Sequence, residues 1–448
     1  MQQDFNMTEQ KKKRSPLKTA LVCAACVVIA VALFFAGFFV CSLSQDEGLR
    51  SLLWFKDRIQ ESYYKDISDE KFWEAAIGGV EGLLDDYSCY YSADEYDAEV
   101  NADRGIMDGT GLAFFTDTNK IYKVAVGSPA FYAEDGEGRR AEAGMYLTGV
   151  GTAEGEMKDT FTAAALEKAL SSVSAGDTCV LRLSAGSASE TDDCLYLSVT
   201  FGTYTESFVL YATNEGTYAE IFENGSGSGV WQKVGGGMEE LKDGQAYIRL
   251  VQFSGNAAEE FAHAAVQYKE DGCETLLLDL RNNGGGSLSV LRGIAPYLMQ
   301  GDRERFVVMY AGEGTAYYAE GSEYAEYFAD SRIYVAANRN TASASEALMG
   351  AMLHYGSIEY SDIYLVKAGG KEDDPARTYG KGIMQTTYYN PLTGEAAKLT
   401  TARIYWPDKT TCVQGRGITS DDGAHRIDAA SNADYGDPAL SEILNSIG

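Results

Sequence analysis

The stretch TLLLDLRNNGGGS, residues 275–287, decides the fold class. Its first half is almost continuously apolar, which is typical of a strand covered on both faces of a sheet. The glycine-rich loop NNGGG follows, and apolar spacing then predicts a helix over residues 288–299. Strand, loop and helix in this order indicate a parallel α/β sheet, whose binding sites lie at the carboxyl ends of the strands.

The same alternation extends on both sides of this stretch. It predicts strands at 246–253, 305–311 and 333–338 and helices at 257–268 and 344–355. We therefore assign residues 204–448 to an α/β core domain. Within it, residues 204–243 carry strand-like pieces around Gly/Ser turns that the pattern does not order.

The part of the chain before this core has two textures. Residues 45–103 show the apolar spacing of helices, with a turn signal at DDYS, residues 85–88. Residues 104–203 alternate short apolar strands with Gly, Asp and Ser turns, and contain a single clear helix at 160–172. This pattern predicts a small β-rich domain between a helical region and the core.

The N-terminal residues predict a membrane anchor. Residues 1–18 carry five basic residues against two acidic ones, and residues 19–43 contain no charge. A helix of that length measures about 37 Å, enough for the hydrocarbon core of a bilayer. The basic side is expected in the cytoplasm, so the rest of the chain lies outside it at the cell membrane as a single-pass protein. A cleaved signal peptide is the alternative.

Composition excludes several classes of function. The 448 residues include 66 acidic and 37 basic ones, for a net charge of −29, which argues against nonspecific nucleic-acid binding. The cysteines show no metal-ligand spacing and the chain has only three histidines, so we expect no metal and no cofactor. Five cysteines lie beyond the apolar run. We expect unpaired and mostly buried thiols, with a Cys179–Cys194 disulfide as the alternative.

The strongest chemical signal is NRNTASASE, residues 338–346, between a strand and a helix. Ser343 falls at or just before the helix N-terminus, where unpaired N–H groups and the helix dipole favour an anion such as an oxyanion. This position suits a nucleophile. A helix N-cap is the competing interpretation, and Thr341 and Ser345 are further candidates for that role.

A serine nucleophile needs a base, and the three histidines are poorly placed for this task. His354 lies eleven residues along the same helix, about 16 Å from Ser343. His263 falls in the middle of a packed helix and His425 in a polar tail. A lysine kept neutral by desolvation is the remaining base.

GKGIMQ, residues 380–385, supplies such a lysine in Lys381. Gln385, four residues on, points to the same face of a strand and can hydrogen-bond the amine. A surface lysine in a turn is the alternative, and Lys367 and Lys371 are rival bases without the flanking glycines. The NNGGG loop offers backbone N–H groups for half of an oxyanion hole, whereas a phosphate loop would need GK[ST] after the glycines.

In this order, DLRNNGGG, TASASE and GKGIMQ resemble the motifs of the C-terminal processing peptidases, also called tail-specific proteases. LLDDYSCYYSADEY at 83–96 and GRGITSDD at 415–422 extend the resemblance over nearly all of residues 50–425. It implies that Ser343 is the nucleophile, Lys381 the general base and Gln385 the residue that orients the base. The residues that it implies as oxyanion donors, through their backbone N–H groups, are Ala344 and Gly285.

The resemblance also implies an architecture and a substrate. The core is expected to be a ββα spiral like that of Clp protease and the crotonases, preceded by a PDZ domain that binds the C-terminal tail of a substrate. The PDZ residues that it implies for the tail carboxylate are Thr110, Gly111, Leu112 and Ala113. The partners that it implies are proteins or peptides with exposed C-termini, and the resemblance is compatible with a homodimer.

The sequence therefore predicts a membrane-anchored, extracytoplasmic serine endopeptidase with a Ser/Lys dyad and an acyl-enzyme intermediate. The alternative is a catalytically inactive PDZ scaffold that binds peptides. It is motivated by Gly284, where the family has proline, and by the long separation between Ser343 and Lys381. An acyl-CoA enzyme, suggested by the crotonase-like core, fits an external location poorly.

Overall fold

The computed structural model describes residues 27–34, 46–115, 117–222, 229–299, 305–310, 313–318, 322–367, 376–429 and 437–447. The chain divides into two units, Met1–Leu83 and Leu84–Gly448. The first unit contains α1 (Glu47–Ser62) and α2 (Asp69–Glu81). Asp46 and Ser68 cap them by accepting backbone N–H groups of the first turns.

The second unit begins with a short strand, a helix and a β-rich segment. Its first elements are β1 (Cys89–Tyr91), α3 (Ala93–Asp103), β2 (Ile106–Gly109), β3 (Leu112–Phe114), β4 (Ile121–Val124), α4 (Pro129–Tyr132), β5 (Tyr146–Gly151), β6 (Met157–Asp159), α5 (Ala163–Leu170), β7 (Thr178–Ser184), β8 (Leu195–Thr200) and β9 (Gly202–Thr205). The strands β6, β5, β7 and β8 form one antiparallel sheet in that order. A separate apolar cluster, which includes Ile121, Leu166 and Leu181, fills this segment.

The remaining elements form the α/β core. They are β10 (Val209–Ala212), β11 (Thr217–Phe222), β12 (Gly229–Gly235), β13 (Gln245–Leu250), α6 (Ala257–Glu270), β14 (Thr275–Asp279), α7 (Leu288–Leu298), β15 (Arg305–Tyr310), β16 (Glu313–Tyr318), β17 (Arg332–Asn338), α8 (Ala344–Tyr355), β18 (Ile363–Val366), β19 (Ile383–Tyr389), β20 (Ala396–Tyr405), β21 (His425–Ile427) and α9 (Pro438–Ser446). The predicted strands and helices of the core are confirmed, and β10, β11 and β12 occupy the stretch that the pattern left unordered.

An eight-stranded sheet organises the core, in the order β12-β11-β10-β13-β14-β17-β18-β21. From β13 to β21 the neighbours are parallel, and from β12 to β13 they are antiparallel. One face packs against α6, α7 and α8 in a large apolar cluster, and α9 helps to cover the other face. The parallel strands are therefore buried on both sides, and their carboxyl ends open on one edge of the sheet.

A second core sheet carries the strands that follow GKG. β20 pairs with β1, β15 and β19, and β15 pairs with β16. The register between β19 and β20 shifts at Met384/Gln385, which marks a β-bulge. The shift passes over Thr401, so the extra residue of the bulge lies in β20.

The five described cysteines beyond the apolar run are free thiols, as expected, and no Cys179–Cys194 disulfide forms. Only Cys179 is fully buried, so the expectation that most are buried is wrong. Of the predicted anchor, residues 27–34 are described, as helix, and the rest of 19–43 lies outside the described residues. No described helix combines the length and the apolar composition needed to cross a membrane.

The close contact between α8 and Trp406 generates a stability prediction. A Cβ atom at Gly350 would lie 2.2 Å from the Trp406 ring, whereas one at Gly78 of α2 would meet nothing within 4 Å. We expect Gly350→Ala to lower the free energy of unfolding by about 1–3 kcal/mol through overpacking. Gly78→Ala should instead stabilise its helix by about 0.5–1 kcal/mol. Urea denaturation checks both, and equal effects of the two substitutions would contradict the packing argument.

Candidate active site

Three loops meet where β13, β14 and β17 end, and Asn283 holds them together. Its side-chain amide donates to Leu250 O at 2.8 Å, at the end of β13. Its backbone carbonyl accepts hydrogen bonds from the Ala342 N–H at 3.0 Å and from the Ser345 hydroxyl at 3.1 Å. Asn283 is fully buried, so these bonds fix the NNGGG loop against the segment that contains Ser343.

The charged residues of DLRNN serve the fold. Arg281 pairs with Asp279 at 2.6 Å and with Asp437 at 2.9 Å, and Tyr247 donates its hydroxyl to Asp279 at 2.7 Å. Burial alone would raise the pKa of Asp279, but the charge and hydrogen bonds of Arg281 hold it below its usual range. This buried pair joins the end of β14 to the start of α9.

The structure separates the three hydroxyl candidates of TASASE. Thr341 donates to Leu280 O at 2.7 Å and Ser345 to Asn283 O at 3.1 Å, and both are fully buried. Ser343 instead lines a cavity of about 730 Å³. Its φ of +57° is rare for a residue other than glycine, and such backbone strain is concentrated at functional sites.

Gly285 is the reason that the NNGGG loop can approach Ser343 so closely. A Cβ atom at Gly285 would lie 2.8 Å from Ser343 Cβ and 2.8 Å from Ala342 O, and its φ is +99°. Only glycine fits both the space and the conformation. The backbone of this loop therefore lies directly beside the candidate nucleophile.

The two expected oxyanion donors differ in their present bonding. Ala344 is the first residue of α8, so its N–H has no acceptor within the helix. The Gly285 N–H donates to Asn283 Oδ1 at 2.9 Å. A role for Gly285 as an oxyanion donor stays a prediction, and it requires this N–H to be shared with Asn283 or released from it.

Glu346 joins the nucleophile segment to the lysine segment. Its carboxylate accepts the Ser343 N–H at 3.0 Å, the Lys381 N–H at 2.8 Å, the Gly380 N–H at 2.8 Å and the Thr378 hydroxyl at 2.6 Å. The side chain is completely buried. Burial raises the pKa of Glu346, and the four hydrogen bonds oppose that shift by favouring the charged form.

Lys381 lines the same cavity as Ser343. In the described part of the chain no hydrogen bond joins its Nζ to Ser343 Oγ, and Nζ lies 4.7 Å from the ring centre of Tyr87. Burial lowers the pKa of Lys381 below its usual range, and the positive charge of Lys398 adds to this while Asp85 opposes it. These shifts favour a neutral amine, which a general base must be.

Gln385 also lines the cavity, but its observed partner is Thr400. Its amide donates to Thr400 Oγ1 at 3.1 Å, and Thr400 Oγ1 donates in turn to Asp85 at 3.2 Å. Lys381 precedes β19, which begins at Ile383, so the period of two on which the expected shared face was based does not extend to it. The orienting role of Gln385 therefore stays a prediction.

The cavity has a mixed lining. Apolar side chains of Leu288, Met384 and Ile404 share it with the charged groups of Glu99, Asp103 and Lys398. Lys398 pairs with Glu99 at 2.8 Å. A lining of this kind suits a peptide, which carries both apolar side chains and polar backbone groups.

The residues expected to bind a tail carboxylate form a tight turn into β3. Thr110 is buried, its hydroxyl accepts the Leu112 N–H at 3.3 Å, and its carbonyl accepts the Ala130 N–H at 2.8 Å. Gly111 adopts a φ of +86°. Ala113 lies in β3, beside Lys123 of β4. Carboxylate binding by this turn stays a prediction.

The other candidate bases lie away from this cavity or beyond the described chain. His263 contacts Glu220 at 3.2 Å, and His354 packs on Tyr355 near the end of α8. Lys371 lies outside the described residues. Within the described ranges no cluster of His, Cys, Asp and Glu is suited to a metal ion.

Sequence reasoning overlooked two residues of this site. Glu346 stands three residues after Ser343, the spacing of a capping box, and that spacing was a usable signal. Tyr87 lies almost three hundred residues before Lys381 in the chain, and nothing local announces their contact. Only the fold brings that ring to the lysine.

The bonding of Glu346 generates a prediction. An amide cannot accept from all four donors, so Glu346→Gln leaves at least one buried donor facing an NH2 group. We expect a loss of about 2 kcal/mol in the free energy of unfolding, measured by urea denaturation. Glu442→Gln, at an exposed position of α9, is the control and should change little. Equal stability of the two variants would show that Glu346 does not hold the segments together.

Comparison with known proteins identifies the family that this region resembles. The model of peptidase family S41 matches residues 244–359, which run from β13 past α8 and include Ser343. A carboxyl-terminal-processing protease of Synechocystis is 35% identical over 153 residues, which cover 34% of this chain and 32% of that protein. A probable CtpA-like serine protease of Staphylococcus haemolyticus is 29% identical over 180 residues, or 40% of this chain and 33% of that protein.

A solved photosystem II D1 C-terminal processing protease aligns with 84% of this chain and 86% of its own length, at 22% identity and a TM-score of 0.44. The matched region spans about a third of the length of each curated relative. The core has the mixed α/β fold of the S41 peptidases. The family match over residues 244–359 and the relatives that share this region confirm the resemblance of the chain to the C-terminal processing peptidases of peptidase family S41.

Proposed function

We propose that this chain is a serine endopeptidase that cleaves proteins or peptides with exposed C-termini, with Ser343 as nucleophile and Lys381 as general base. The observation that carries the proposal is one cavity that contains both side chains. Ser343 lies on a strained turn before α8, and burial lowers the pKa of Lys381. The names of the curated relatives, which are proteases, agree with this activity.

The chemistry follows from the positions of these groups. Ser343 Oγ attacks the peptide carbonyl as its proton passes to the neutral amine of Lys381. The tetrahedral oxyanion faces the N-terminus of α8 and the Ala344 N–H, where negative charge is stabilised. As the C–N bond breaks, the leaving amine takes the proton from Lys381, and an ester to Ser343 remains. Water then hydrolyses the ester, with Lys381 again as base.

This sequence of steps requires a movement of Lys381. Its Nζ now lies over Tyr87, and proton transfer needs a hydrogen bond to Ser343 Oγ of about 2.6–3.2 Å. Catalytic hydrogen bonds commonly tighten only when substrate binds. We assign this movement to the flexible lysine stem, because Glu346 bonds the backbone N–H groups of both Ser343 and Lys381.

We assign residues 104–203 to a PDZ domain that selects substrates. The core is assigned the ββα spiral architecture of Clp protease. In this proposal the turn Thr110, Gly111, Leu112 and Ala113 receives the tail carboxylate through backbone N–H groups. Residues 19–43 anchor the chain in the cell membrane with its N-terminus in the cytoplasm. The charge pattern of residues 1–18 and the uncharged run after them support that orientation.

The proposal is tested by proteolysis with the purified chain. An unfolded protein that ends in an apolar tail should be cleaved faster than the same protein without the tail. Ser343→Ala should reduce cleavage at least a thousandfold, and Lys381→Met at least a hundredfold at neutral pH. Full activity of Lys381→Met would overturn the dyad. A folded wild-type chain that binds the tail but neither cleaves it nor reacts with a fluorophosphonate would support the inactive scaffold instead.

The charges beside Lys381 generate a pH prediction. Activity requires the neutral amine, so kcat/KM should rise with pH through the pKa of Lys381. Lys398→Met removes a like charge, which raises that pKa. The rising limb of the plot of kcat/KM against pH should therefore move to higher pH by about half a unit. Asp85→Asn removes an opposite charge and moves the limb to lower pH, while its amide oxygen still accepts from Thr400.

The control for these two variants is Lys409→Met, at an exposed position outside the cavity lining. It should leave the pH limb unchanged. Shifts of Lys398→Met and Asp85→Asn in the same direction would show that the limb does not report Lys381.

A further inference from the structure

We propose that Tyr87 is a positioning residue for the reaction: its ring holds the Lys381 side chain beside the cavity, and the turn that carries it holds Gln385. This inference rests on the proposed function. Lys381 Nζ lies 4.7 Å from the centre of the Tyr87 ring, within the range of a cation–π contact. A lysine has four rotatable bonds, so a fixed surface beneath its stem strongly restricts where the amine can go.

The Tyr87 ring is itself held in place. Its hydroxyl bonds the Tyr379 hydroxyl at 3.0 Å, and the Tyr379 N–H donates to Thr341 O at 2.9 Å. Thr341 lies two residues before Ser343. The hydrogen bond to Tyr379 raises the pKa of Tyr87 to about 12, so the ring stays a neutral phenol. The hydroxyl pair therefore links Tyr87 to the nucleophile segment, whereas the ring alone makes the contact with Lys381.

The residues on either side of Tyr87 reach Gln385 through Thr400. Ser88 Oγ accepts the Thr400 N–H at 2.8 Å, and Asp85 accepts the Thr400 hydroxyl at 3.2 Å. Thr400 Oγ1 in turn accepts the Gln385 amide at 3.1 Å. A single turn, residues 85–88, thus contacts the candidate base directly and the candidate orienting residue through one side chain.

Three charged groups lie near Lys381, and their effects must be distinguished from the effect of the Tyr87 ring. Lys398 projects from β20, Asp85 lies in the same turn as Tyr87, and Glu346 of α8 accepts the Lys381 N–H. None of them is altered by a substitution of Tyr87. The electron-rich ring face favours the ammonium form, so its replacement by an aliphatic side chain of similar bulk lowers the pKa of Lys381.

The experiment uses the full chain and three variants. Tyr87→Leu removes the ring, whereas Tyr87→Phe keeps the ring and removes only its hydroxyl. Tyr379→Phe breaks the same hydroxyl–hydroxyl bond and leaves Tyr87 unchanged. The rate of acylation of Ser343 by a fluorophosphonate is measured against pH. We expect Tyr87→Leu to lower the high-pH plateau at least tenfold and to move the limb about half to one unit lower. Tyr87→Phe and Tyr379→Phe should stay within twofold of wild type.

Two results would overturn the proposal. In one, Tyr87→Leu matches Tyr379→Phe in both plateau and limb. In the other, Tyr87→Phe loses as much as Tyr87→Leu, which would make the hydroxyl and its support of the turn the cause. Urea denaturation of each variant confirms that all rates refer to folded protein, and a merely structural role would not move the pH limb.

A second measurement separates this proposal from the proposed function. In the chain labelled with 13C-lysine, NMR follows the titration of Lys381, whose signal is assigned by its loss in Lys381→Met. If the wild type never reacts at Ser343, the proposed function fails. A lower Lys381 midpoint in Tyr87→Leu, but not in Tyr87→Phe, would still support the contact. An unchanged midpoint in both variants would refute it.

Discussion

The buried carboxylate of Glu346 is the interaction on which the site depends. One side chain accepts the backbone N–H groups of Ser343, Gly380 and Lys381, so two segments from different sheets become a single rigid unit. Each of these hydrogen bonds satisfies a backbone donor that would otherwise be buried without a partner. The flexible part of the site is thereby reduced to side chains, above all the lysine stem.

The fold also brings the backbone of the NNGGG loop close to the backbone of the TASASE segment. The parallel strands deliver the NNGGG loop and the TASASE segment to the same edge of the sheet, and Asn283 bonds both. Gly285 then allows contact at a distance that no side chain would permit. The strained conformation of Ser343 is maintained by its neighbours on either side rather than by its own preference.

Much of this arrangement was predictable from local patterns. The strands and helices of the core follow apolar periodicity, and the two motif residues Ser343 and Lys381 line one cavity. Periodicity could not distinguish Ser343 from Thr341 and Ser345. That choice depends on which hydroxyls donate hydrogen bonds to the NNGGG loop and to the end of β14. It also could not foresee that Gln385 bonds Thr400, since that contact depends on how β19 pairs with β20.

The hydrogen bond between the Gly285 N–H and Asn283 Oδ1 has a consequence for what the site binds well. An internal acceptor competes for this donor, and a neutral substrate carbonyl is no stronger an acceptor than the asparagine oxygen. A full negative charge on oxygen is a much stronger one. As the oxyanion donor that we predict, Gly285 would therefore respond to developing charge rather than to a resting peptide, which favours turnover over tight ground-state binding.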